Sequence, residues 1–457
     1  MGTLAELHER CEREGIRYID LKALDLPGRL HHISVPSEQL DASLLSEGVG
    51  FDGSSYGFAK TENSDMVLIP DTATASIDPF RDAPTLSMFC GIHLADDERT
   101  RFHQDARYVA QKAEKILREV KIADNSLWMP EFEFNIFDEV EYKVAPEESF
   151  FSIFSGEVDG GNAYHACNPS DRFIDFRDRA VELLQSQGIA VRYHHHEVGP
   201  YGQQEIEGVF DTLVRTCDAA VNVFYLLRNQ ANDEGLAITF MPKAIFGQAG
   251  NGWHLHQYLE RNGVNIFYQP GEYGNLSRVA RRYLGGILSH GPALCALTNP
   301  STNSYKRLVP GYEAPVALTY GKANRAGAVR IPAYVSDPSK VRIEYRPPDA
   351  TCNPYFCLAA ILLAGIDGIE RGVDPKAEGF GPFGEGVPGE SKEDEIRLLP
   401  RSLGAALDAL EADHEFLLRG GVFDEALLER WVTIKRDEVR QYTLRPHPYE
   451  FERYFDF

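Results

Sequence analysis

The alternation of apolar and polar positions is sharpest over 128–137, where Phe132, Phe134 and Ile136 fall on one face of an extended segment and Glu131, Glu133 and Asn135 on the other. Side chains alternate faces along a strand, so two carboxylates two residues apart stand side by side, about 7 Å apart along the chain. The same period predicts a strand over 189–198, the return arm of a hairpin over 203–209, and strands over 253–259 and 341–347. Their polar faces carry Glu197, Glu205, the pair His254 and His256, and the series Arg342, Glu344 and Arg346. Helical spacing predicts amphipathic helices over 106–120, 173–187 and 276–290, and a long helix to Asn232 with Asp211 as its N-cap. A wholly apolar helix is expected over 355–369, opened by Asn353-Pro354, and two more helices near 401–418 and 423–442.

Between these elements lie irregular stretches at 156–171, 303–316, 322–332 and 372–394. Residues 1–104 form a candidate small N-terminal domain, with an opening helix, short strands at 17–24 and 30–35, and a polar, glycine-rich segment at 48–71. Segments of that composition are where binding residues collect. Residues 105–457 are expected to form the larger domain. The fold class is therefore α+β, and no internal repeat of fixed period is present.

Composition narrows the function. A chain of 457 residues with 43% hydrophobic positions can bury a large core. Its net charge of −23 argues against nucleic acid and against an anionic membrane as partners. The longest apolar run, 356–366, is too short to span a bilayer, and the first twenty residues contain no signal-type apolar core, so the expected compartment is the cytoplasm. Seven cysteines without a CxxC pair fit a reducing compartment and give no zinc knuckle. The glycines at 247–252 match neither the dinucleotide fingerprint nor a P-loop.

Collected, the strand-face ligands are Glu131, Glu133, Glu197, Glu205, Glu344 and His254. Like charges at such spacing need cations between them, and a mainly oxygen donor set suits Mg2+ or Mn2+ rather than zinc. Arg307, Arg325, Arg330, Arg342 and Arg346 add positive charge for phosphate or carboxylate groups. Together they describe phosphoryl transfer. Of the three histidines 194–196, alternation turns His195 away from the other two, and a packing or hydrogen-bonding role is expected for them.

At these residues the chain resembles the class I glutamine synthetases. The matching pieces are FDGSS with SDMVLIPD, the E-x-E-F strand, HHEV followed by GQQE, FMPK, GNGWHLH, NSYKRLVPGYEAPV, NRAGAVRIP and RIEYRPPDATCNPY, in order over nearly the whole chain. The resemblance implies a β-grasp N-terminal domain, a catalytic domain on a curved antiparallel sheet flanked by helices, and a dodecamer of two stacked hexameric rings with active sites between subunits. It implies ATP-dependent ligation of ammonium to L-glutamate through γ-glutamyl phosphate, with about two to three Mg2+ or Mn2+ ions per subunit. By resemblance Glu133, Glu197 and Glu205 hold one metal, and Glu131, His254 and Glu344 another. Asp65, from a neighbouring subunit, Tyr164 and Glu197 form the ammonium pocket, and Glu313 shields the intermediate. Gly250, Arg307, Glu313, Arg325 and Arg346 bind glutamate, while His256, Arg325, Arg330 and Arg342 lie on the ATP side. Asp65, Glu313 and Arg325 are the catalytic set.

Several positions depart from the family pattern. Arg397 stands where adenylylated members carry tyrosine, so that control is not expected. Ala249, Asn251, Trp253, Gln257 and Tyr258 replace the usual residues around the glycine loop, and Lys60 occupies a position linked to glutamine feedback in some members. A ligase of the same fold joining glutamate to a polyamine or monoamine is the alternative. The presence of both Asp65 and Glu313 favours ammonia over it.

Overall fold

The computed structural model describes residues 2–58, 64–157, 163–384 and 396–457. Lys60, Gly160 and Gly161, and 385–395 within the acidic Gly/Pro-rich stretch, lie outside the described residues. The chain opens with the helix Leu4–Glu14, started by a reciprocal capping box between Thr3 and Glu6. It leads into a sheet whose strands run in the order Leu30–Pro36, Tyr18–Leu24, Thr85–Leu94, Asp65–Pro70 and Val49–Asp52. Tyr18–Leu24 lies parallel to Thr85–Leu94, and the other pairs in this order are antiparallel. Ile19, Leu21, Leu86 and Met88 are buried in this small mixed sheet, which is the β-grasp architecture.

The larger sheet has ten strands. Its main path is Val191–His196, Gln203–Gly208, Asn125–Phe137, Trp253–Arg261, Ile343–Tyr345, Gly327–Ile331 and Ala317–Lys322, antiparallel except for the last pair. Asn125–Phe137 is central, and its apolar face packs on the helix Leu213–Asp233, where Phe132 meets Phe224 at 5.7 Å, and on Phe240 beyond that helix, which Phe134 meets at 5.4 Å between ring centroids. Proline cannot donate to a ladder. Pro130 falls where the register slips by one, since Glu207 sits opposite Glu131 but Asp211 opposite Trp128. The helix Pro354–Arg371, capped by Asn353, is buried along almost its whole length under the helices Arg278–Ser289 and Ala106–Glu119. No helix among the described residues is long and apolar enough to cross a membrane.

Four local expectations differ from the structure. Asp211 pairs with Trp128 as a short strand and holds Arg215, so the long helix begins one residue later, behind Thr212. Residues 327–331, within the stretch expected as irregular, and 317–322, mostly left without an assignment, are parallel strands; buried on both faces, they lack alternation. The hairpin Glu139–Val144/Ser149–Phe154 and the terminal helix Pro448–Tyr454 were not expected, because each exposes its aromatic residues instead of burying an apolar face.

Candidate active site

Cross-strand register turns the linear carboxylate pattern into a square. Glu205 lies directly opposite Glu133, and Glu207 directly opposite Glu131, all four buried on one face of the sheet. Like charges facing each other across strands are destabilising unless compensated. The rows extend sideways: His195 opposes Glu205, His254 opposes Glu131, and His256 opposes Glu344, which in turn opposes Arg330. Three corners of the square, Glu131, Glu133 and Glu205, floor a cavity of about 310 Å³, into which Glu197, Tyr164, Gly250, Arg307, Glu313, Arg325, Arg330 and Arg346 also converge, while Glu207 is paired with Arg192.

Compensation is uneven across this floor. Burial works against the charge on Glu131, but His256 Nε2 at 2.7 Å and His254 Nδ1 at 2.8 Å hold its carboxyl well below the usual range. Glu344 is likewise buried, yet Arg346 beside it, with Arg330 at 2.6 Å, brings it down to about 2. On the other side no lysine or arginine of the described residues pairs with Glu133, Glu197 or Glu205, although His254 lies 3.6 Å from Glu133 and His195 3.3 Å from Glu205. Burial, then Glu131, Glu197 and Glu133, push Glu205 well above the carboxylate range, and burial with Glu133 pushes Glu197 up to about 8. Positive charge is therefore missing on the Glu133, Glu197 and Glu205 side.

The ligand groupings follow the same division. Donor atoms of His195, Glu197 and Glu205 all lie within 4.8 Å of one another, as do those of Glu131, Glu205 and Glu207, and of Glu131, His256 and Glu344. The first two groupings contain His195 and Glu207, which sequence reasoning left out of the ligand set. His195, turned away from His194 and His196 as alternation requires, lies 3.3 Å from Glu205, and burial holds its imidazole below the usual histidine range, as a neutral ligand requires. Its two neighbours point the other way, to Asp178 and Glu157. The signal for Glu207 was its spacing of two from Glu205. In the third grouping His256 takes the place expected for His254, although His254 Nδ1 also reaches Glu133 at 3.6 Å and Glu344 at 3.9 Å.

Four arginines line the same cavity. Arg307 is 3% exposed and donates to the carbonyls of Pro347 and Arg346 while Nη2 lies 3.2 Å from His254 Nε2. Two glycines let the chain pass beside it. A Cβ at Gly250 would stand 2.2 Å from Pro242 O and 3.0 Å from Arg307 Cγ, and one at Gly252 would stand 2.4 Å from Arg307 Nη2. Gly252 N–H donates to Glu133 Oε2 at 2.5 Å, tying this loop to the square. Arg342 Nε donates to His256 Nδ1, behind the cavity wall. Glu313 sits on an exposed loop with φ +56°, a strained value for a non-glycine residue, paired with Arg325 at 2.6 Å. Tyr164, half exposed, stacks on His165 and meets His195 edge-on. Tyr193, Tyr334 and Gln203, not singled out from the sequence, complete the lining.

Asp65 does not line this cavity; it opens an N-terminal strand, exposed, opposite Asp52. The departures around the glycine loop have structural partners. Asn251 donates to Asn135, Trp253 packs between Phe132 and Phe224, Gln257 accepts from Tyr283, and Tyr258 packs on Phe210.

Residues 103–454 match the glutamine synthetase catalytic domain, and residues 15–95 the glutamine synthetase beta-Grasp domain. The chain is 43% identical over 465 residues to a glutamine synthetase of Frankia alni, covering 97% of each chain, and 41% identical over 478 residues to one of Mycolicibacterium smegmatis, covering 99% of each. Among solved structures it is similar to the Plasmodium falciparum glutamine synthetase, with a TM-score of 0.89 and 25% identity over 99% of both chains. It is also similar to a GmaS/ADP complex, with a TM-score of 0.84 and 27% identity over the whole of both chains.

Proposed function

The chain belongs to the glutamine synthetase family, and on that premise we propose that it ligates ammonia to L-glutamate with ATP, through γ-glutamyl phosphate, to give L-glutamine. The observation that carries this reading is the buried carboxylate cluster with its uncompensated side, gathered with four arginines around one cavity. The oxygen-rich donor set, with imidazoles and no thiolate, fits hard divalent cations such as Mg2+ or Mn2+. Glu133, Glu197 and Glu205, with His195, would hold one ion, and Glu131, Glu344 and His254 or His256 another. Bound there, such ions neutralise the charge of the nucleotide's phosphates.

The chain's own groups do the rest. Arg307 and Arg346 grip the glutamate carboxylates, with Gly250 at its amino end, so that the side-chain carboxylate oxygen faces the γ-phosphorus. That oxygen bonds to phosphorus as ADP leaves, and Arg325 and Arg330 neutralise the charge spreading over the phosphoryl oxygens. His256 and Arg342 stand on the nucleotide side. Ammonium enters an anionic pocket made by Glu197, Tyr164 and Asp65 of a neighbouring subunit, and loses a proton to Asp65. The ammonia nitrogen then bonds to the acyl carbon, phosphate leaves and Glu313 takes the proton the nitrogen sheds, while the Glu313 loop excludes water that would hydrolyse the acyl phosphate.

Because Asp65 is exposed and remote from its own chain's cavity, the reading requires an oligomer, for which we propose two stacked hexameric rings. The working units are residues 1–104 and 105–457. Seven unpaired cysteines support a cytoplasmic setting. Arg397, stacked over Phe380 at 4.1 Å, leaves no hydroxyl for adenylylation at that position. The test is phosphate release by purified protein with Mg2+ and ATP. Release is expected to require both glutamate and ammonium. Release with ethylamine or putrescine but not ammonium would reassign the chain to amine ligation.

A further inference from the structure

A second cavity, of about 670 Å³, opens where the N-terminal hairpin, the helix Leu213–Asp233 and the helix Glu425–Thr443 meet. Lys22 and Arg29 reach it from the hairpin, Arg228 from the first helix and Lys435 from the second, with His31 and His32 beside them. Against these cations the described lining offers one acid, Glu438. Some of the positive charge is already matched. Lys22 Nζ lies 3.1 Å from Asp78, Lys435 Nζ 2.9 Å from Glu438, and the two histidines face Asp25 and Asp20.

Arg29 and Arg228 are different: among the described residues neither forms an ion pair with an aspartate or glutamate. Arg228 lies along the rings of Phe224 and Phe240, 5.9 and 5.5 Å from their centroids. The residue is exposed, so its aliphatic stem lies on the rings while the guanidinium stays open to the cavity and solvent. A chain of net charge −23 has acids to spare. Two guanidinium groups line this one cavity without an acid partner and are open to an outside anion, which can pair with both. Leu30, Val221 and Phe224 add apolar surface to the same lining, which favours a carbon skeleton over a hydrated inorganic ion.

We infer that this cavity binds a small organic anion carrying at least two negative charges, a polycarboxylate or a phosphate ester, held between Arg29 of the N-terminal hairpin and Arg228 of the catalytic domain. Such a ligand ties the two domains together and acts at a site separate from the carboxylate cavity. Calorimetric titration of the full-length protein in its native assembly, free of divalent metal and at fixed ionic strength, with citrate and separately with glucose 6-phosphate, tests the assignment. Binding by at least one is expected, weakened about tenfold or more by Arg228→Gln and by Arg29→Gln and partly restored by Arg228→Lys. Citrate alone identifies a carboxylate ligand, and the sugar phosphate alone a phosphate ester. Because Arg29 is exposed, its variant decides the matter should Arg228→Gln fail to fold. No heat with either probe into the millimolar range, or affinities unchanged by the substitutions, would overturn the inference.

Discussion

Replacing Glu197 with glutamine separates the electrostatic cost of the carboxylate cluster from its use. Burial and Glu133 raise the Glu197 carboxyl from 4.5 to about 8. For an acid raised on folding, stability begins to fall as pH passes its unfolded value and the loss is complete above its folded value. At about 1.4 kcal/mol per pH unit, the penalty is on the order of 4 kcal/mol at pH 9 and under about 1 kcal/mol at pH 5. Unfolding 457 residues carries an entropy of roughly 1 kcal/mol/K, so Glu197→Gln is expected to raise Tm by about 4 °C at pH 9 and by under about 1 °C at pH 5. The assay is thermal unfolding in EDTA at both pH values, repeated with saturating Mn2+. Metal should reverse the order, because wild type gains the cation its carboxylates lack and the variant gains less. The reasoning fails if the metal-free variant melts with wild type at pH 9, or if it keeps the full stabilisation by Mn2+.

Three further outcomes are expected. Gly250→Ala places a methyl 2.2 Å from Pro242 O and 3.0 Å from Arg307 Cγ, so steady-state kinetics should show the glutamate KM rising about tenfold with little change for ATP. His290 lies 2.8 Å from both Asp367 and Asp413; burial opposes its charge, but the two carboxylates prevail and raise its pKa above 6.5. The stability this contributes is fully present below pH 6.5 and is lost as pH rises through the raised folded value. His290→Gln should therefore cost on the order of 2 kcal/mol at pH 6 and progressively less at higher pH, read from its denaturant midpoints. Asp65→Ala is expected to raise the ammonium KM tenfold or more, about 1.4 kcal/mol, and an unchanged ammonium dependence would remove the role proposed for Asp65.

How far the candidate site was legible depended on the range of the signal. Glu131 and Glu133, Glu205, Glu344 and the arginines around it were readable because strand alternation is a local property of the backbone. His195 was correctly turned away from its neighbours but set aside, because nothing in its own segment reveals that Glu205 lies opposite. Glu207 shared the period of Glu205 and was overlooked for the same reason. The parallel strands at 317–322 and 327–331 carried no alternation, since both their faces are covered. The hairpin at 139–154 shows apolar residues to solvent, which no burial pattern anticipates.

What the amino-acid order determined by itself was the set of faces: which side chains share a side of each strand or helix, and hence that acids would line one surface and aromatic rings the other. Only the tertiary structure decided which acids confront each other. That pairing depends on register between segments tens of residues apart, and Coulombic interaction depends on separation in space, not along the chain. The same assembly left Glu131 and Glu344 matched by cations, Glu197 and Glu205 raised by their like-charged neighbours, and brought Arg29 and Arg228 to the lining of one cavity.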